Sequence, residues 1–304
     1  MARHETFKYV VLPLLTEDPL PVINWLKQHR LLRKEVKCGS CDTAMNWTKH
    51  TKCKDGYAWR CQTKGCVKYK YTAAIRTGSF FANSNLSLQT WIHTLYLWSE
   101  RIGEKQASHQ AGVSQRTLVD CYSFFREVCS RYLQANPIKL GGPGTVVEVD
   151  ESCFSHKPKH HRGRGPHTSM WMFGMVDTST SPAVGYLEIV DARDAATLLP
   201  IIKAVVQPGS IIHSDEWRAY YNIQGQGFVH RTVNHSLNFV DAHTGVHTQT
   251  IESYWNKHKY NLKTMRGCKR DLLHSYLQEF MWRDRFFVNA FENVCMHIST
   301  QYPM

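Results

Sequence analysis

No stretch of the 304-residue chain approaches the ~20 consecutive apolar residues of a membrane-spanning helix. The opening residues, with Arg3, His4, Glu5 and Lys8, lack the apolar core of a secretory signal. Both absences point away from membrane insertion and secretion. Acidic residues are scarce too: 25 Asp and Glu stand against 37 Lys and Arg, for a formal net charge of +12 and an isoelectric point of about 9.2. A surplus of that size favours a polyanionic partner, most often nucleic acid, and says nothing about fold. There are ten cysteines. In a chain that is not secreted they point to metal binding or reduced thiols, not to a disulfide framework. The length is enough for two or three domains around one good core.

Residues 1–35 hold an apolar patch, Tyr9–Leu15, and a short helical pattern, Val22–His29, with no readable function. Residues 36–80 carry the cysteine pairs Cys38/Cys41, two residues apart in the gap, and Cys61/Cys66, with four between. Zinc prefers four soft ligands in a tetrahedron, and close pairs on turns supply two each. Gly39 and Gly65 suit such turns. Strands are expected at Tyr57–Arg60 and Tyr69–Ile75, the layout of a zinc ribbon around one structural ion. Cys53 is the alternative ligand.

Residues 81–136 turn helical, with Trp91, Leu95 and Trp98 at helical spacing. The segment Glu104–Val128 resembles a helix-turn-helix. Gly112 makes the turn, Ser114 caps the second helix, and Arg116 stands at its start, where base and phosphate contacts concentrate. A plain helical hairpin fits the same residues. Asn136–Gly144, rich in Gly and Pro, reads as a linker.

From residue 137 to 304 the pattern alternates between strand and helix. Strands are expected at Thr145–Val149, Trp171–Val176, Ala183–Val190, Ser210–Ser214 and Phe228–Val233. Helices are expected at Asp194–Val206, Gln249–Lys263 and Leu272–Ile298. That is the order of an RNase H-like α/β domain with a mixed five-stranded sheet. Asp150 and Asp215 stand at strand ends and Glu252 sits early on a helix. Clustered carboxylates repel one another unless cations neutralise them. Such a cluster suits two magnesium or manganese ions acting on a phosphodiester. Lys157, Lys159, Arg162 and Arg164 lie in a Gly/Pro-broken loop after Asp150 and suit DNA backbone contact. Asn256 and Lys259 share the face of Glu252, and Lys263 and Arg266 extend the positive surface. His247, just before the helix, and Gln249, at its start, suit contact with the DNA strand ends.

The strings VVEVDES (Val146–Ser152), IIHSDEWRAY (Ile211–Tyr220) and HTQTIESYWNKHK (His247–Lys259) resemble the three catalytic blocks of the Merlin superfamily of DDE transposases and of related bacterial insertion-sequence transposases. The blocks fall in family order and spacing, and the likeness runs from near Cys38 to about Arg285. It implies an RNase H-like fold and a ribbon that touches DNA. It favours Asp150 and Asp215 over Glu148, Glu151, Glu216, Asp177 and Asp191. It implies cut-and-paste transposition: binding of terminal inverted repeats, metal-dependent cleavage and joining to target DNA by a homodimer or larger synaptic assembly. The chain is expected in the nucleus of a eukaryotic host, or otherwise in the cytoplasm with the nucleoid. A domesticated DNA-binding regulator and another RNase H-like nuclease are the alternatives.

Overall fold

The computed structural model describes residues 5–154, 170–234, 240–241, 244–265 and 267–304. It has two compact units: Met1–Cys129 with Val288–Met304, and Ser130–Phe287.

In the first unit, helix α1 (Leu20–Gln28) buries Val22, Ile23 and Leu26. A three-stranded antiparallel sheet follows, β1 (Asn46–Lys49), β2 (Tyr57–Arg60) and β3 (Thr72–Ala74), with β2 central. β1 has no counterpart in the sequence reading. It is short and half-exposed, and it is held by Trp47 pairing with Trp59 and stacking on Tyr57. Buried Arg76 grips Asp55 with Nε and Nη2 and gives Nη1 to the Leu86 carbonyl at 2.8 Å. With its charge paired and its donors used, that guanidinium is tolerated inside.

Ser87 caps α2 (Leu88–Ser99), accepting from the Thr90 amide at 3.0 Å. α3 (Glu104–Ala111) ends at Gly112, whose φ of +64° costs a glycine little. Ser114 then caps α4 (Gln115–Ala135) through the Thr117 amide at 3.1 Å. Trp91, Trp98, Phe81 and Phe125 form the aromatic core beneath these helices.

The second unit is built on a five-stranded mixed sheet. Its strands are β4 (Val146–Cys153), β5 (Trp171–Asp177), β6 (Val184–Val190), β7 (Ile211–Ser214) and β8 (Val229–Thr232), in the order β6-β5-β4-β7-β8. β4–β5 and β5–β6 are antiparallel, and β4–β7 and β7–β8 are parallel. β5 reads as a near-continuous apolar run because both of its faces are covered. α5 (Ala195–Val205), capped by Asp194, links β6 to β7. α6 (Gln249–Thr264) and α7 (Arg270–Phe286) follow β8.

The Gly/Pro stretch before β4 is anchored to this sheet. Leu140 bridges to Val206, and the Gly141 amide donates to Asp177 Oδ2 at 2.8 Å. A Cβ on Gly141 would sit 2.3 Å from Ser210 Oγ, and its φ is +77°. Two sequence expectations are revised. Asp150 lies inside β4, not at its end, because β4 pairs with β5 as far as Cys153 opposite Trp171. The helix expected over Leu272–Ile298 is two, α7 and α8 (Ala290–Gln301). The apolar stripe breaks at exposed Phe287 and Val288. α7 packs on β6, while α8 belongs to the first unit, where Phe291 meets Trp25 and Tyr96.

Candidate active site and metal centre

The four sulfurs of Cys38, Cys41, Cys61 and Cys66 lie within 4.8 Å of one another, and Cys53 is outside the group. Cys38–Cys66 is 3.8 Å and Cys41–Cys61 is 3.9 Å. A tetrahedron with zinc–sulfur bonds of ~2.3 Å has sulfur–sulfur edges of about 3.8 Å, so the donor set fits zinc in both chemistry and size. Hydrogen bonds from the Thr43 backbone and side chain pull the Cys41 thiol down to about 6, toward the thiolate a metal needs. Gly65 takes the positive φ expected of it (+87°), but Gly39 does not; in the first pair Asp42 does, at +53°. An Asp side chain tolerates that region better than most.

The acids come from three elements. β4 runs parallel to β7 with Glu148 opposite His213. Two residues further along each strand, Asp150 and Asp215 therefore lie on a level. Asp215 follows β7 and accepts from the Trp217 amide at 3.0 Å. Glu252 is in the first turn of α6. Burial first, and then the charges of Asp215 and Glu252, push the Asp150 carboxyl up to about 6, against hydrogen bonds from the Glu151 backbone and the Trp255 indole. Asp150 thus feels the charge of both other acids. Their oxygens are not all within 4.8 Å; among the described residues only the cysteine group is that tight.

Three contacts seat α6 on the sheet. Trp255 Nε1 donates to Asp150 Oδ2 at 3.0 Å. The indole fills the space beside Gly174, which pairs with Asp150 across β4–β5; a Cβ there would lie 2.4 Å from Trp255 Cζ2. Tyr254 fills the matching space beside Gly185, with its Cζ 2.5 Å from the position of a Cβ. The third contact is Glu148, which is fully buried. It accepts from the Ile251 amide and Thr250 Oγ1, both at 2.9 Å, and faces His247 Nδ1 at 3.2 Å. Burial raises its pKa, and the helix amides oppose that. Glu148 is therefore engaged by the start of α6. It satisfies the orphan donors at the α6 N-terminus and fixes the turn that carries Glu252. Alternation along β4 puts Glu148 on the Asp150 face, but its helix partners lie a hundred residues downstream and are silent in sequence.

Glu151 points to the other face, where it accepts from the Tyr220 hydroxyl. Burial, followed by Asp150 and Asp215, pushes it up to about 7. Under α6, buried Asp284 on α7 takes the Tyr254 hydroxyl at 2.6 Å, His258 Nε2 at 3.6 Å and the Lys257 ammonium. Lys257, next to Asn256 on α6, is thus tied to a carboxylate.

Of the residues expected to meet DNA, Arg116 is exposed at the start of α4, and Asn256, Lys259 and Lys263 are exposed along α6. Lys259 Nζ lies 5.5 Å from the Phe154 ring centre. His247 is engaged with Glu148. Lys157, Lys159, Arg162, Arg164 and Arg266 lie outside the described residues. Sequence reasoning missed Arg193 and Trp171, whose positions beside the acids depend on where β5, β6 and the turn after β7 meet.

β4, the end of β7 and the first turn of α6 each carry an acid, on a mixed sheet in a chain that also holds a four-cysteine group. Residues 139–284 match the model of the ISXO2-like transposase domain. The chain is 35% identical over 98 residues, 32% of its own length and 78% of the relative's, to an uncharacterized transposase-like protein of Haemophilus influenzae. The chain belongs to this transposase family. Solved structures that it resembles include a simian T-cell lymphotropic virus intasome in complex with a PP2A regulatory subunit (TM-score 0.30, 13% identity, 64% of this chain and 69% of that one). A pre-cleavage Mos1 transpososome is similar at TM-score 0.29 and 11% identity, over 67% of this chain and 75% of that one. Likeness at that level adds no weight to the assignment. No helix among the described residues is long and apolar enough to cross a membrane.

Proposed function

We propose that this protein is a DDE transposase of the Merlin type that binds terminal inverted repeats, cuts DNA at the element ends and joins them to target DNA. The sheet order β6-β5-β4-β7-β8, with its antiparallel first three strands, supports an RNase H-like catalytic domain. The observation that supports the reading is that the Asp150 carboxyl, hydrogen-bonded to the Trp255 indole of α6, feels the charges of both Asp215 and Glu252.

These three residues offer only oxygen donors, which suits hard cations such as magnesium or manganese. Two such ions bound there supply charge neutralisation for the attacking and leaving oxygens of an in-line displacement. Trp255 orients the Asp150 carboxylate through its indole N–H, and Glu148 holds the Glu252 turn in place. Lys259, exposed on the α6 face that carries Glu252, steadies the DNA backbone. Cys38, Cys41, Cys61 and Cys66 hold one structural zinc ion. The α3–turn–α4 unit, with Arg116 at its exposed start, reads the repeat as a helix-turn-helix. Synapsis of two ends brings two or more copies together.

The test is magnesium-dependent nicking of a duplex that carries the repeats flanking the gene. Asp150→Ala, Asp215→Ala and Glu252→Ala should each abolish nicking while end binding survives. Undiminished nicking by purified Asp215→Ala protein refutes the assignment.

A further inference from the structure

Trp217, whose amide donates to Asp215, also lines a cavity of about 480 Å³ together with Arg193, Asp194, Ala195, Arg218 and Ala219. That is the size of a small-ligand site. Arg193 is its central feature. The guanidinium carbon lies 3.6 Å from the Trp171 ring centre and 5.3 Å from that of Trp217. Trp217 Nε1 donates to the Arg193 carbonyl at 3.0 Å, which fixes the backbone under the stack. Among the described residues the guanidinium has no hydrogen bond or ion pair. Its charge reaches only as far as helping to hold down the Glu151 carboxyl. A second cation, exposed Arg218, stands 6.0 Å from the Trp217 ring centre. The single acid in the lining, Asp194, is occupied as the α5 cap by the Thr197 amide and hydroxyl, at 2.9 and 2.8 Å.

We infer that this cleft is a phosphate subsite for the DNA strand next to the scissile bond, with Arg193 as its anchor. The inference rests on the transposase reading above and adds to it a residue outside the acid blocks. An arginine stacked flat on indole keeps its N–H edges turned outward and its position fixed. That fork matches two phosphate oxygens, and little entropy is lost in forming the contact. The location follows from the chain: the Trp217 amide holds Asp215, while the Trp217 ring flanks Arg193. A strand whose reacting phosphate meets Asp215 runs its neighbouring phosphate past this pair. Arg193 here is a binding residue, not a proton donor.

The test uses the full chain and a fluorescein-labelled oligothymidylate in magnesium buffer, read by anisotropy across a salt series. Arg193→Ala should weaken binding about tenfold, as expected for a lost charged hydrogen bond. It should also flatten the log–log salt dependence by about 0.7, the share of one phosphate contact on a single strand. Arg193→Lys should restore the slope but only part of the affinity, because the ammonium lacks the planar fork. An unchanged slope in Arg193→Ala overturns the subsite, whether or not its melting temperature falls, since a packing role moves stability and not counterion release. Binding needs no cleavage. Absence of nicking in the wild type with the slope difference intact therefore sinks the transposase reading alone. Equal slopes with nicking intact sink the subsite alone.

Discussion

Adding one methyl group at Gly174 should displace the indole that holds Asp150. The new Cβ would stand 2.4 Å from Trp255 Cζ2 and 2.7 Å from Cη2. Ordinary carbon contacts are ~3.5 Å or longer, so something must yield by about 1 Å. β5 is paired on both sides, to β4 and to β6, so its backbone is held and the indole is the part that moves. Overpacking of this kind costs about 1–3 kcal/mol. For a chain of this size each kcal/mol lowers the melting temperature by roughly 2–4 °C. A shift of ~1 Å in a catalytic group costs roughly 100-fold in rate. Gly174→Ala should therefore melt several degrees lower and nick an end-containing duplex about 100-fold more slowly, with end binding retained. Gly185→Ala meets Tyr254 and also the Met175 carbonyl at 2.8 Å, so it should lose at least as much stability but less activity, since Tyr254 does not touch Asp150. Combining Gly174→Ala with Trp255→Leu relieves the clash, so the stability losses should be less than additive. Nicking should stay low because the indole N–H is gone. Wild-type melting and wild-type nicking in Gly174→Ala would refute the claim that the glycine exists to seat α6.

Glu148→Ala strands the Ile251 amide and Thr250 hydroxyl in a buried site and should cost about 2–4 kcal/mol; it should also raise the magnesium concentration needed for half-maximal nicking, while Glu148→Gln, which keeps an accepting oxygen, recovers most of both. Cys61→Ser should release one equivalent of zinc, measured with a colorimetric chelator, and open Cys38–Cys66 to thermolysin, because metal binding of this type supplies ~10 kcal/mol of folding free energy. Burial favours the neutral form of Asp284, but His258 and Lys257 outweigh it and hold the carboxyl below its ordinary 3.8. A depressed folded-state pKa contributes stability above the unfolded value, and that contribution is lost as pH falls through the folded one. The melting-temperature gap between wild type and Asp284→Asn should thus be full at neutral pH and close in acid below 3.8. A gap independent of pH would remove Asp284 from the ionised α6–α7 contact.

Much of the catalytic unit was legible because its signals are local. Apolar runs bounded by Gly and Pro marked β5 to β8, and the start of β4, within a residue or two, and Asp194 before a periodic stretch marked α5. The cysteine spacing anticipated the four-sulfur cluster for the same reason: two short knuckles need only turn chemistry. What failed was non-local. β4 continues past Asp150 because β5 is there to pair with it, and nothing in residues 150–153 announces that. β1 is too short and too polar to carry a pattern of its own. The apolar stripe of α8 reads as an extension of α7, since periodicity records which residues are buried and not against what.

The chain by itself determined the inventory: three acids in spaced blocks, four paired cysteines, an excess of positive charge, and strands and helices in an order that closes a mixed sheet. Those depend on covalent spacing, turn chemistry and periodicity, all of which act over a few residues. Tertiary structure decided what each acid meets. Glu148 and Asp150 share a strand face and a chemistry, yet one accepts from the N-terminus of α6 and the other from the Trp255 indole. That division, like the placing of Arg193 over Trp171 and near Trp217, is set by which distant elements pack over each side chain, because burial and neighbouring charge are properties of the assembled fold.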